Sequence, residues 1–187
     1  AAAASACNAI LDVAWAQKED FIYRGQPLEQ SIAQAKRMGE QSGGPILLLE
    51  GIFEARDLEL CSRLGLWHVI HCNEQIDMLA AHKTQLPQRV FLKMNSGMNR
   101  LGFTGAHLRS AWTRLNALPQ VDEISHMTHF SDADGPAGVA RQMAVFDAAT
   151  RDLPGERTVS NSAAVLRHHT DAQVTADWVR PGIALYG

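Results

Sequence analysis

With 187 residues, 46% of them hydrophobic and 20% charged, the chain has the balance of one globular domain with a sizeable core. A formal net charge of −3 excludes the basic footprint that nucleic acid or an anionic membrane surface requires. No apolar run approaches the roughly 20 residues of a spanning helix, and Cys7, Cys61 and Cys72 show neither CxxC nor metal-ligand spacing, which predicts no metal and a reducing cytoplasm rather than secretion.

The opening AAAASACNA is apolar but has no basic stretch, so it does not read as a signal peptide. Residues 9–18 are expected to be helical, with Ile10, Val13 and Ala14 on one face. Phe21-Ile22-Tyr23 is a short apolar strand candidate closed by Gly25 and Pro27, and 28–40 reads as an amphipathic helix along Leu28, Ile32, Ala35 and Met38. PILLLEG, residues 45–51, is a continuous apolar run between turn residues, the pattern of a strand buried on both faces. The alternation then repeats: helix 54–64, strand 67–72, helix 73–84, strand 89–94, helix 105–117, strand 123–130, helix 137–151, strand 157–161, a short helix from Ser162, and a last strand over 178–186 broken at Pro181-Gly182. Alternating strands and helices imply right-handed parallel βαβ units. A closed barrel of eight such units takes about 250 residues. Seven strand candidates fit here, and an eighth has room only in Ala1–Ser5. The expected fold is therefore α/β, a (β/α)8 TIM-type barrel incomplete at its first strand. It forms one domain over 1–187, with residues 1–8 outside the recognisable pattern.

In such a barrel chemistry lies at the C-terminal strand ends, and phosphate favours the last two exits. The 89–94 strand carries Lys93 inside it and delivers Asn95, Ser96, Gly97 and Arg100. A lysine within a buried strand is rare unless paired or modified. The 123–130 strand delivers Thr128 and His129, then Asp132 and Asp134. His129 alone reads as a hydrogen-bonded core histidine, and its strand-end place beside two aspartates moves it toward function. No second histidine has ligand spacing to it, which argues against a metal. Ser160-Asn161-Ser162 before Ala163-Ala164 is a natural N-cap and a phosphate-binding pattern. Gly182, after Arg180 and Pro181 and before Ile183, would admit close backbone approach. A structural cap and a phosphate site both remain open on these residues alone. His168-His169, Lys36-Arg37, Arg56, Asp57 and Glu59 read as solvated, and Trp15, Trp67, Trp112 and Trp178 as packing.

PILLLEG (45–51), VFLKMNSGMNRLGF (90–103), MTHFSDAD (127–134), SNSAA (160–164) and DWVRPGIALYG (177–187) together resemble the N-terminal barrel domain of bacterial alanine racemase, a fold-type III pyridoxal-phosphate enzyme. The likeness covers about 20–187, more loosely at LEQSIAQAKRMG (28–39). It implies an isomerase that interconverts L- and D-alanine, a peptidoglycan precursor, with pyridoxal 5'-phosphate as cofactor, in the cytoplasm and as a homodimer. It implies roles as well. Lys93 matches a lysine carbamylated in many members, which would then orient Arg100. Arg100 matches the arginine at the cofactor's phenolic oxygen and the substrate carboxylate. His129 matches the histidine packed on the pyridine ring, and Arg180 the arginine facing the pyridine nitrogen. Asn161 and Ser162 match residues at the cofactor, Ser162 on its phosphate, and Gly182 and Ile183 match backbone phosphate donors.

The sequence also departs from the family. The motif KANAYGHG, which carries the cofactor-bonding lysine, aligns with residues 2–9, where Ala2 takes the lysine's place and Ala6 the tyrosine's, and no lysine precedes Lys18. The family's C-terminal β domain, source of a catalytic tyrosine and of dimer contacts, is expected to be absent beyond Gly187. The catalytic lysine and tyrosine are thus not present. The alternative to a working racemase is a non-catalytic pyridoxal-phosphate-binding barrel or an inactive fragment.

Overall fold

The aliphatic runs become parallel strands in the computed structural model, which describes residues 45–186 apart from 85, 173 and 175 and, as backbone alone, three short segments nearer the N-terminus. Those segments are β1 (Ile10–Leu11), β2 (Ile22–Tyr23) and β3 (Gln26–Pro27). Thereafter come β4 (Leu47–Leu48), α1 (Ala55–Leu64), β5 (Trp67–Ile70), α2 (Asn73–Ala81), β6 (Gln88–Lys93), α3 (Gly105–Asn116) and β7 (Val121–Met127). The order ends with α4 (Ala140–Thr150), β8 (Arg157–Asn161), α5 (Ser162–His168), β9 (Trp178–Arg180) and α6 (Gly182–Tyr186). Seven strands form one curled sheet in the order β1-β4-β5-β6-β7-β8-β9, while β2 and β3 pair antiparallel as a separate ribbon. Every pairing in the large sheet is parallel, the arrangement of an incomplete TIM-type barrel.

Period-two alternation sorts the side chains of each strand to two faces. On β6, Val90 and Leu92 pack outward with Leu58, Leu79, Leu108 and Phe146 of the helices. Phe91 lies inward with Leu47, Val69 and Met127. Registers Val69↔Phe91↔Ser125 and Lys93↔Met127 stack the inward residues in layers. The N-terminal layer is polar and closed. Arg89 lies 3.9 Å over the Trp67 ring, pairs with Glu123 at 2.8 Å and with Glu156, and Glu156 also accepts from the Trp178 indole. The middle layer is apolar. The C-terminal layer is where Lys93 and Arg180 lie, 5% and 7% exposed.

Several expectations are corrected. Ile10–Leu11, expected to open a helix, is a strand beside Leu47–Leu48. The first described strand of the sheet is thus here and not within Ala1–Ser5, which lies outside the described residues, as do helix 28–40 and Trp15. Of the strand expected at 21–23, Ile22–Tyr23 lie in the ribbon rather than the sheet. The last strand ends at Arg180, and residues 182–186 turn into a helix. Proline has no N–H to continue the ladder, yet it fits the approach to a helix. Asp57 is not solvated: it is buried and accepts the Glu54 N–H at 3.0 Å, capping α1. His168 is half-buried, with Nε2 at 2.8 Å from the Ala133 carbonyl.

Candidate functional site

Lys93 is the last residue of β6, and the chain beyond it folds on its own asparagines. Asn95 Oδ1 accepts from the N–H groups of Gly97 and Asn99, both at 3.0 Å, and Asn95 Nδ2 donates to Asn99 Oδ1 at 3.0 Å. Asn99 takes the left-handed conformation (φ 59) that asparagine tolerates. The turn closes where Phe103 N donates to Lys93 O at 2.9 Å and Asn95 N to Phe103 O at 2.8 Å. Gly102 is required there: its φ is +112, and a Cβ would stand 2.8 Å from Lys93 O and Asn95 N. This turn holds Arg100 at the exposed rim.

The next exit, after β7, delivers Thr128 and His129. Burial first, then the charges of Arg180, Arg100 and Lys93, push the His129 imidazole down to about 4, so at neutral pH the ring is uncharged among three cations. Asn161 ties this ring to α5. Its Oδ1 caps the helix by accepting Ala164 N at 3.0 Å, and its Nδ2 donates to Phe130 O at 3.1 Å and lies 3.5 Å from His129 Nε2. Of the three polar residues expected to cap α5, Asn161 does so, while Ser160 donates to Val174 O at 3.4 Å.

Ser162 Oγ accepts from Ala184 N at 3.1 Å, which joins the first turns of α5 and α6. That bond uses a lone pair, and the hydroxyl hydrogen remains a donor. The close approach expected at Gly182 is not made by the described chain: a Cβ there meets nothing within 4 Å, and Ile183 is 79% exposed. Among the described residues, nothing fills the space beside Gly182.

Arg180 is locked from three sides. Its Nη1 donates to Thr158 Oγ1, and its Nη2 to the carbonyls of Thr128 at 2.5 Å and Val159 at 3.5 Å. Burial pulls its pKa down to about 10, which leaves the guanidinium charged at neutral pH. Lys93, Arg100, His129, Asn161 and Arg180 therefore converge at the C-terminal ends of β6 to β9, with Ser162, Gly182 and Ile183 alongside.

Three residues had no signal in the sequence. Thr158 reads as an ordinary strand former. Gln142 reads as a surface helix residue, but it binds both the N–H and the carbonyl of Ser131 at 3.0 Å and lies against Gly97. His71 follows the Ile70↔Leu92 pair and so neighbours Lys93; its Nε2 is 3.1 Å from the Glu50 carbonyl. Burial chiefly holds His71 below its ordinary range, and the Lys93 charge acts the same way. Asp132 and Asp134 are exposed, and among the described residues no group of three His, Cys, Asp or Glu is arranged to hold a metal.

A curled parallel sheet with a cation-lined C-terminal rim defines an incomplete TIM-type barrel of the α/β class. The chain belongs to the family described as alanine racemase, N-terminal domain, which matches residues 28–187. It is 73% identical over 157 residues to an alanine racemase of Polaromonas sp., covering 83% of this chain and 43% of that protein. It is 77% identical over 144 residues to one of Acidovorax sp., covering 77% of this chain and 40% of that protein. Among solved structures it is similar to the biosynthetic alanine racemase of Pseudomonas aeruginosa, with TM-score 0.74, 39% identity, and 84% of this chain and 43% of that one covered. The chain thus spans less than half the length of these relatives.

Proposed function

We propose that this chain is the pyridoxal-phosphate-binding barrel of an alanine racemase, an isomerase acting on L- and D-alanine. The observation that carries the reading is the placement of Lys93, His129, Asn161 and Arg180 together at the C-terminal ends of four adjacent parallel strands, with Asn161 beside the His129 ring. The donor set fits a flat anionic aromatic. Pyridoxal phosphate, when bound, acidifies the Cα–H of an amino acid by drawing electrons into its ring.

The residues divide the remaining work. The Ser162 hydroxyl and the backbone N–H groups of Gly182 and Ile183 hold the phosphate. Uncharged His129 packs on the ring, kept in place by Asn161. Arg180 donates to the ring nitrogen but, as a cation at neutral pH, does not hand it a proton, so the ring stays a modest electron sink. Arg100 takes the substrate carboxylate. A carbamate on Lys93 would be an anion beside Arg100 and would set its direction. With this reading go a homodimer as the working assembly and a cytoplasmic place.

A second reading rests on the alignment of Ala2 with the cofactor-bonding lysine: the barrel binds pyridoxal phosphate without a covalent bond. Titration with the cofactor, borohydride reduction and an L-alanine racemisation assay separate the two. A near-visible band trapped on a lysine, with D-alanine formed, supports the enzyme. An intact mass equal to 20.5 kDa with binding but no racemisation supports the second reading. Absence of binding at millimolar cofactor removes both.

A further inference from the structure

Two site elements meet on Thr128, the residue just before His129 at the exit of β7. It is fully buried. Its Oγ1 donates to Met94 O at 3.0 Å and lies 2.7 Å from Ser96 Oγ. A threonine hydroxyl has one hydrogen, and Met94 O can only accept, so Ser96 must be the donor of the short bond. The direction of the chain is therefore fixed: Ser96 O–H to Thr128 Oγ1, Thr128 O–H to Met94 O. Ser96, itself 6% exposed, belongs to the turn that carries Arg100. The carbonyl of the same Thr128 accepts Arg180 Nη2 at 2.5 Å.

We infer that Thr128 is a positioning residue: its hydroxyl keys the Asn95–Arg100 turn to the strand whose carbonyl seats Arg180. Displacing the side chain in the core moves that carbonyl with it, so the two arginines are set jointly. Removing the hydroxyl leaves Ser96 O–H without its acceptor and the Met94 carbonyl without a donor, both in a dry interior where such losses are felt in full. A serine keeps the hydroxyl; a valine keeps only the shape.

The inference rests on the proposed cofactor only for the ligand's identity, so its test begins without ligand. The Arg180 guanidinium signals are followed by nitrogen-edited proton NMR in the full chain, with Ser96→Ala made in the native and in the Thr128→Val background. Ser96→Ala is expected to shift the Arg180 signals in the native background and to leave them in place when Thr128 is valine, while Thr128→Ser keeps native signals. Unmoved Arg180 signals in Ser96→Ala, or equal movement in both backgrounds, overturns the inference. If Thr128→Val does not fold, the Ser96→Ala spectrum decides alone, because without the link Arg180 does not sense the turn. A parallel titration with pyridoxal 5'-phosphate is expected to show about tenfold weaker binding for Thr128→Val, and native affinity for Thr128→Ser. Failure of the native chain to bind the cofactor refutes the proposed function and leaves the spectra to decide the role of Thr128.

Discussion

Burial is the chief reason that both His68 and His129 are held uncharged, and only His129 has neighbouring cations as a further cause. His68 is fully buried on the outer face of β5, and burial, opposed in part by the Gln88 side chain, pushes it down to about 4 from an ordinary 6.5. His129 reaches about 4 by burial and by three neighbouring cations. Between those limits the unfolded chain takes up protons that the folded chain refuses. Stability is then whole above the unfolded value of 6.5 and falls as pH drops toward about 4. For His68 the full loss is about 3 kcal/mol. His68→Leu is expected to remove that acid-side loss, read as the change in urea-unfolding free energy between about pH 7 and about pH 5. An unchanged slope would contradict the assignment. Gly102→Ala is expected to cost about 1–3 kcal/mol, because it forces a side chain into a left-handed position against Lys93 O. At this scale Lys93 and Arg100 were legible, since a lysine inside an apolar run and an arginine after a glycine-bearing turn break the local pattern. Thr158 and Thr128 were not legible as arginine supports: threonine is at home in any strand, and what matters is which carbonyl or hydroxyl it turns inward.

Among the elements, the curled sheet is held differently at its two ends. At the N-terminal end the guanidinium of Arg89 fills space against Trp67, Phe91 and Trp178, while its carboxylate partners are partly in water. Packing should outweigh charge there. Arg89→Ala is expected to cost about 2 kcal/mol or more through lost ring contact and stem burial, and Glu123→Gln less than about 1 kcal/mol. Denaturant midpoints of the two variants test the order, and equal losses would contradict it. Strand β4 was readable because PILLLEG is a continuous apolar run bounded by turn residues, as in strands buried on both faces, and β5 to β8 followed from the regular alternation with helices. Ile10–Leu11 was misread as helix because a short apolar segment carries no decisive period. Residues 182–186 were misread as strand because Ile183, Leu185 and Tyr186 are β-favouring types, and the proline before them sets a helix start instead.

For the whole molecule, regular alternation of strand and helix sufficed to predict a parallel barrel, and five spaced motifs carried the resemblance to alanine racemases that the matches bear out. What alternation could not convey is the convergence at the rim. Lys93, His129, Asn161 and Arg180 stand on four different strands or their exits, and only the parallel registers bring them together. The rim is proposed to be a pyridoxal-phosphate site with its phosphate at Ser162 and the first turn of α6. The most direct measurement is a spectroscopic titration of the native chain and Ser162→Ala with pyridoxal 5'-phosphate and with phosphate-free pyridoxal. The native chain is expected to prefer the phosphate ester by about tenfold or more, and Ser162→Ala to abolish most of that preference. Equal affinity of the native chain for the two compounds, or an unchanged preference in Ser162→Ala, would contradict it.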